Sequence, residues 1–142
     1  GKRWWIMAQT IGEDLYISFL DKGIGIPKTL LESIPEQEIK GIKRYIRRLQ
    51  GALRVNDAGV IAGAMKYNRS RFRKGGRGKG LERVQALVNS SPSGSLTILS
   101  NLGRYHYQFD TDPKIKLQEH ADSMHGTLIQ WNMSLKTTPQ GR

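Results

Sequence analysis

The segment FLDKGIGIPKTL, residues 19–30, joins an apolar alternating run to a helix start and places Asp21, Gly23 and Gly25 at the joint. On the upstream side Leu15, Ile17 and Phe19 recur at every second residue, the period of one face of a β-strand. Glycine tolerates positive φ and aspartate hydrogen-bonds its own backbone, so a strand-ending turn explains these residues. A ligand that must approach the backbone closely explains them equally well.

Working outward, RWWIMAQTI (residues 3–11) also reads as extended, and Gly12, Glu13 and Asp14 suit a hairpin turn between the two runs. The chain is therefore expected to open with two strands. In EQEIKGIKRYIRRLQ (36–50), Ile39, Ile42, Ile46 and Leu49 form one stripe of an amphipathic helix with lysines and arginines opposite, and Pro35 and Glu36 fit its first turn. A second helix is expected over DAGVIAGAMKY (57–67), with Asn56 or Asp57 as cap and Gly59 and Gly63 weakening it. Leu81, Val84, Leu87 and Val88 suggest a third, ending before the turn Pro92-Ser93-Gly94.

The rest alternates. SLTILSN (95–101), RYHYQF (104–109) and GTLIQWNMSL (126–135) read as strands, with KIKLQEH (114–120) as a further one. Strands, then helices, then strands imply α+β: a two-layer sandwich of a mixed, mostly antiparallel sheet with helices on one face. Residues 1–136 are expected to form one domain and 137–142 a tail. Trp4, Trp5 and Trp131 lie in predicted strands and are expected in the core.

Lys and Arg number 23 against 12 acids, a formal net charge of +11. The excess concentrates in residues 40–83, with fourteen basic residues against Asp57 and Glu82. Such a field attracts phosphates, nucleic acid, acidic proteins or anionic membranes. There is no cysteine, which excludes disulfides and thiolate metal sites, and no apolar run has membrane-spanning length. With no signal peptide visible either, the expected location is cytoplasmic. Gly1 reads as an introduced residue of a piece cut from a longer protein.

The most informative stretch is KYNRSRFRKGGRGKGLERV (66–84), where glycines at 75, 76, 78 and 80 stand among basic residues just before the third helix. Glycine-rich backbone leading into a helix N-terminus suits a phosphate, because unpaired amides point outward and the helix dipole favours anions. The dinucleotide fingerprint fails for want of its glycine spacing and leading strand, and the P-loop fails because Gly80-Leu81 follows Lys79.

Taken together, Asp21-x-Gly23-x-Gly25, then Gly76-x-Gly78-x-Gly80-Leu81 before a helix, then Gly126-Thr127 opening an apolar strand closely resembles the GHKL or Bergerat-fold ATPases, most nearly their histidine-kinase-like branch. The resemblance implies a Bergerat fold and an ATP- or ADP-binding domain, from a parent ATPase or signal-transducing protein kinase with a phosphoacceptor or client protein as partner. By this resemblance Asp21 accepts a hydrogen bond from the adenine amine, and Gly23 and Gly25 let the chain turn beneath base and ribose. Thr127 supports the adenine side, and Ile24 and Ile26 line the apolar slot. Residues 66–80 become a lid, with Gly76, Gly78, Gly80 and Leu81 at the phosphates and Arg73, Lys74, Arg77 and Lys79 as charge partners.

The family also carries an earlier helix, the N-box, whose asparagine binds Mg2+ and whose acid activates water in the hydrolysing branches. Only two predicted strands precede Asp21, so the resemblance implies that the N-box lies upstream of Gly1; Asn89 is in the wrong place to replace its asparagine. No catalytic residue is assigned. His106 falls in a strand, and His120, Asp122 and His125 match no metal-site spacing. Two alternatives stay open: a pseudo-enzyme that binds ATP without hydrolysis, and a nucleic-acid-binding module using the basic region 40–83, with Lys43, Arg44, Arg47, Arg48 and Arg54 as its helix face, and requiring Tyr105 and Tyr107 exposed for stacking.

Overall fold

The chain begins with a hairpin of β1 (Trp4–Ile11) and β2 (Asp14–Asp21), turned by Gly12 at φ +61. The computed structural model describes residues 3–51, 55–71 and 79–136. Four helices follow, α1 (Ile26–Ser33), α2 (Glu36–Gln50), α3 (Asp57–Arg71) and α4 (Lys79–Ser90), and then β3 (Ser95–Ser100), β4 (Gly103–Gln108), β5 (Ile115–Glu119) and β6 (Thr127–Ser134). The strands form one six-stranded sheet in the order β1-β2-β6-β3-β4-β5. Every pairing is antiparallel, so the mixed sheet expected from sequence is corrected to an antiparallel one.

The register sorts side chains into rows across the helix-bearing face. One row reads Ile6, Phe19, Ile129, Ile98, Tyr105 and Leu117, and the next Ala8, Ile17, Trp131, Leu96, Tyr107 and Ile115. Because side chains alternate between faces, these two rows supply an almost wholly apolar floor. Ile61, Ala62 and Met65 of α3 and Val88 of α4 close over its β3–β4 part, where Leu96, Ile98, Tyr105 and Tyr107 are buried.

The first half of α3, residues 58–65, is apolar and buried all round because it is covered on two sides. Its Val60 and Ala64 pack with Leu30, Ile34, Ile42 and Ile46 of the α1–α2 segment. Where α2 crosses it, the Ile42 Cγ2 methyl occupies the space a β-carbon on Gly63 would need. The glycine that weakens helix propensity is thus a point of close helix approach. In the α2 stripe Ile42 and Ile46 are buried and Ile39 is half-buried, whereas Leu49 is exposed.

Asn56, not Asp57, caps α3: its Oδ1 accepts from the Gly59 amide at 2.9 Å. Glu119 of β5 accepts from the Asp57 and Ala58 amides, while the Asp57 carboxylate takes the Leu102 amide at 3.0 Å. Replacing Asn56 by alanine is expected to cost about 1 kcal/mol, read as a lower urea midpoint at unchanged slope. An unchanged midpoint would show that Glu119 alone satisfies this helix start.

One expectation about aromatic residues is corrected, and a requirement of the nucleic-acid alternative is not met. Trp4 and Trp5 are not core: they are 61% and 48% exposed, because β1 is the edge strand and has a neighbour on one side only. Tyr105 and Tyr107 are the reverse, 2% and 6% exposed under α3 and α4. Tyr105 and Tyr107 are therefore not available as a platform on which bases could stack.

Candidate functional site

At one end of the sheet the next row on the helix-bearing face turns polar: Trp4, Asp21, Thr127, Ser100, Gly103 and Glu119 stand side by side in register. Asp21 is the last residue of β2 and Thr127 the first of β6, so two segments about a hundred residues apart in sequence become direct cross-strand neighbours. Ser100 and Thr127 are buried and share a hydrogen bond of 2.8 Å between hydroxyls. Ser100 Oγ also accepts from the Ile26 amide at 2.8 Å, which fixes the start of α1 to the sheet.

The loop between Asp21 and α1 is held from both ends. The Gly23 amide donates to Asp21 Oδ1 at 2.7 Å, closing a tight turn on the carboxylate. Among the described residues the other carboxylate oxygen of Asp21 makes no hydrogen bond. One oxygen thus sets the loop and the other remains an acceptor for a donor arriving from outside.

Gly25 is a genuine glycine position. Its φ is +89, and a β-carbon there would lie 2.5 Å from Asn101 Nδ2. Asn101 occupies that space because its side-chain amide donates to the Ile24 carbonyl at 3.1 Å while its backbone amide donates to Gly126. Gly126 answers from the other side, since a β-carbon there would collide with the Asp21 carbonyl oxygen.

Directly behind this polar row lies a cavity of about 430 Å³, lined by Ile6, Ile17, Phe19, Gly80, Leu81, Val84, Ile129 and Trp131. Phe19 and Ile129 are the next same-face neighbours of Asp21 and Thr127, so an apolar slot adjoins a carboxylate and two hydroxyls. The volume falls within the range of small-molecule sites, roughly 300–1,000 Å³. Gly80, in the first turn of α4, has open space where its β-carbon would stand.

The structure therefore brings together Asp21, Gly23, Gly25, Ile26 and Thr127 at one end of the sheet, with Gly80 and Leu81 on the cavity wall beside it. Ile26 packs against both apolar clusters, whereas Ile24 is 53% exposed and does not line the cavity. Lys79 opens α4. Gly76, Gly78 and Arg77, with Arg73 and Lys74, lie outside the described residues. Ser100 and Asn101 belong to the site and carry no sequence signal, because a serine ending a strand and an asparagine in a turn are ordinary there.

Among the described residues no three His, Asp or Glu side chains converge as a metal site would need, so His120, Asp122 and His125 do not form one. Asn89 is occupied as acceptor for the Tyr107 hydroxyl at 2.7 Å. His106 points to the face away from the helices and bonds Thr97 through Nδ1. Burial first, and the nearby positive charge of Arg104 and then Lys116, lower its pKa against an opposing hydrogen bond with Gln108.

No family model, curated protein or solved structure matches this chain. No helix among the described residues is long and apolar enough to cross a membrane.

Proposed function

We propose that this chain is an adenine-nucleotide-binding domain of the GHKL type, closest to the histidine-kinase-like branch. The observation that carries the proposal is the register that sets Asp21 against Thr127 beside Ser100, with Gly25 and Gly126 packed tightly around them and an apolar cavity immediately behind. A purine ring has two apolar faces and a polar edge. In this arrangement the faces enter the slot between Phe19, Ile129 and Leu81, and the exocyclic amine of adenine donates to the unengaged oxygen of Asp21. Guanine presents a carbonyl oxygen at that position, which the carboxylate repels.

The phosphates then extend toward the start of α4, where the resemblance assigns Gly76, Gly78, Gly80, Arg77 and Lys79. They are not drawn to α1 or α3, whose first amides are already taken by Ser100 and Glu119. Binding of this kind is common to an ATPase, a protein kinase and a non-hydrolysing ATP sensor, and Asp21 and Thr127 serve all three alike. A Mg2+ ion, if bound, would supply charge neutralisation at those phosphates.

Calorimetric titration with ADP and then GDP, each at low and high salt, tests the proposal. ADP is expected to bind and GDP to bind at least tenfold more weakly, with the ADP preference surviving salt. Binding that shows no base preference and fades with salt would contradict it and leave the exposed α2 face, Lys43, Arg44, Arg47 and Arg48, as a general polyanion surface.

A further inference from the structure

Among the described residues strand β1 is a sheet edge that no other strand covers. It pairs with β2 without a bulge along all eight residues, from Trp4 opposite Asp21 to Ile11 opposite Asp14, and no described strand lies on its other side. Its sequence, WWIMAQTI, holds no charge and no proline. Sheet edges are ordinarily blunted by lysine, proline, bulges or a covering element, because their free N–H and C=O groups accept another strand. None of these devices is present among the described residues of β1.

Its side chains are unusual as well. Trp4 and Ile6 are each 61% exposed on the helix-bearing face, and Trp5 at 48%, Met7 at 61% and Ile11 at 57% are exposed on the opposite face. A helix or ligand laid on one face would leave the other bare. A strand added along the edge flanks both faces at once.

We propose that β1 is a dimerisation strand, along which two copies of this chain pair antiparallel and join their sheets into one. A second copy fits the edge for three reasons. A two-fold axis normal to the sheet keeps side chains of the same face opposite one another, which centres the pair on Met7 or Ala8 and sets only uncharged residues in contact. The uncharged strand also lets two chains of net charge +11 meet there without like charges opposed. Finally, the five exposed apolar side chains hold on the order of 500 Å² per copy, so the pair has about 1,000 Å² of apolar surface available to bury, the size at which a specific interface begins.

Sedimentation velocity over a protein dilution series tests this, with Met7→Lys as the variant and Phe109→Ser, an exposed aromatic position beyond β4, as control. Wild type and Phe109→Ser are expected to sediment as twice the 16.0 kDa chain at ~100 μM and to dissociate on dilution. Met7→Lys places lysines opposite or diagonal to each other and is expected to weaken association tenfold or more. Salt should strengthen the wild-type dimer by screening the net charge. Hydrogen exchange of wild-type β1 amides should slow as concentration rises, a readout that does not depend on any variant folding. A monomer at every concentration, a dimer unchanged by Met7→Lys, or β1 exchange independent of concentration would each overturn the proposal.

Discussion

Replacing Gly126 by alanine is expected to destabilise the folded chain by about 3 kcal/mol, the cost of forcing an atom into a closed backbone contact. The new β-carbon would overlap the Asp21 carbonyl oxygen and stand 3.2 Å from the Lys22 α-carbon. Neither is a flexible side-chain end that could swing aside. Relief requires the ends of β2 and β6 to separate, at the point where Asp21 pairs with Thr127 and where the Asn101 amide donates to the Gly126 carbonyl. Urea unfolding measures the effect, with Gly41→Ala as control, since nothing lies within 4 Å of a β-carbon at that helical position. Gly41→Ala is expected to stabilise by roughly 0.5–1 kcal/mol. Equal stability of Gly126→Ala and wild type would show that the two strand ends are not held as tightly as the register implies.

Replacing Asp21 by asparagine is expected to weaken ADP binding by about 1–3 kcal/mol, or roughly fivefold to 150-fold, while leaving the fold intact. The fold survives because the asparagine carbonyl oxygen can still accept from the Gly23 amide, as Asp21 Oδ1 does at 2.7 Å. Binding suffers because the second position becomes an N–H2 group that faces the adenine amine, donor against donor. The same change offers a donor to a purine carbonyl, so preference for ADP over IDP should shrink. Unchanged ADP affinity in a folded Asp21→Asn protein would remove Asp21 from the base-binding role.

The β1–β2 hairpin, the α2 stripe and the four later strands were legible because their apolar residues repeat at 2 or 3.6 and bracket recognisable turns. Helix α1 was visible only as a start: it spans Ile26–Ser33 and stops before Pro35, too short to establish a period. Gly63 argued against the helix it sits in, because the methyl of Ile42 that needs its empty space lies on a different helix. Alternation identified the strand carrying Tyr105 and Tyr107 but not which of its faces the helices cover. Trp4 and Trp5 misled for a related reason, since composition marks a strand as apolar and strand order decides whether it receives a neighbour.

At the site, Asp21, Gly23 and Gly25 stood out as an acid and two glycines at a strand end, and Thr127 only through the resemblance. Their partners did not. Ser100 reaches Thr127 across 27 residues and Glu119 reaches the start of α3 across 62, and such contacts follow from sheet register rather than from any local pattern. Asn101 owes its role to the same register, which carries the turn after β3 beneath the loop after β2.

A two-dimensional 15N–1H spectrum of the folded chain, followed residue by residue during titration with ADP, locates the nucleotide. Adenine binding at the polar end of the sheet predicts shifts confined to residues 19–26, 100–101, 126–129 and the first turn of α4, with no matching response to GDP. Shifts spread instead over Lys43, Arg44, Arg47 and Arg48 of α2, alike for both nucleotides, would contradict it.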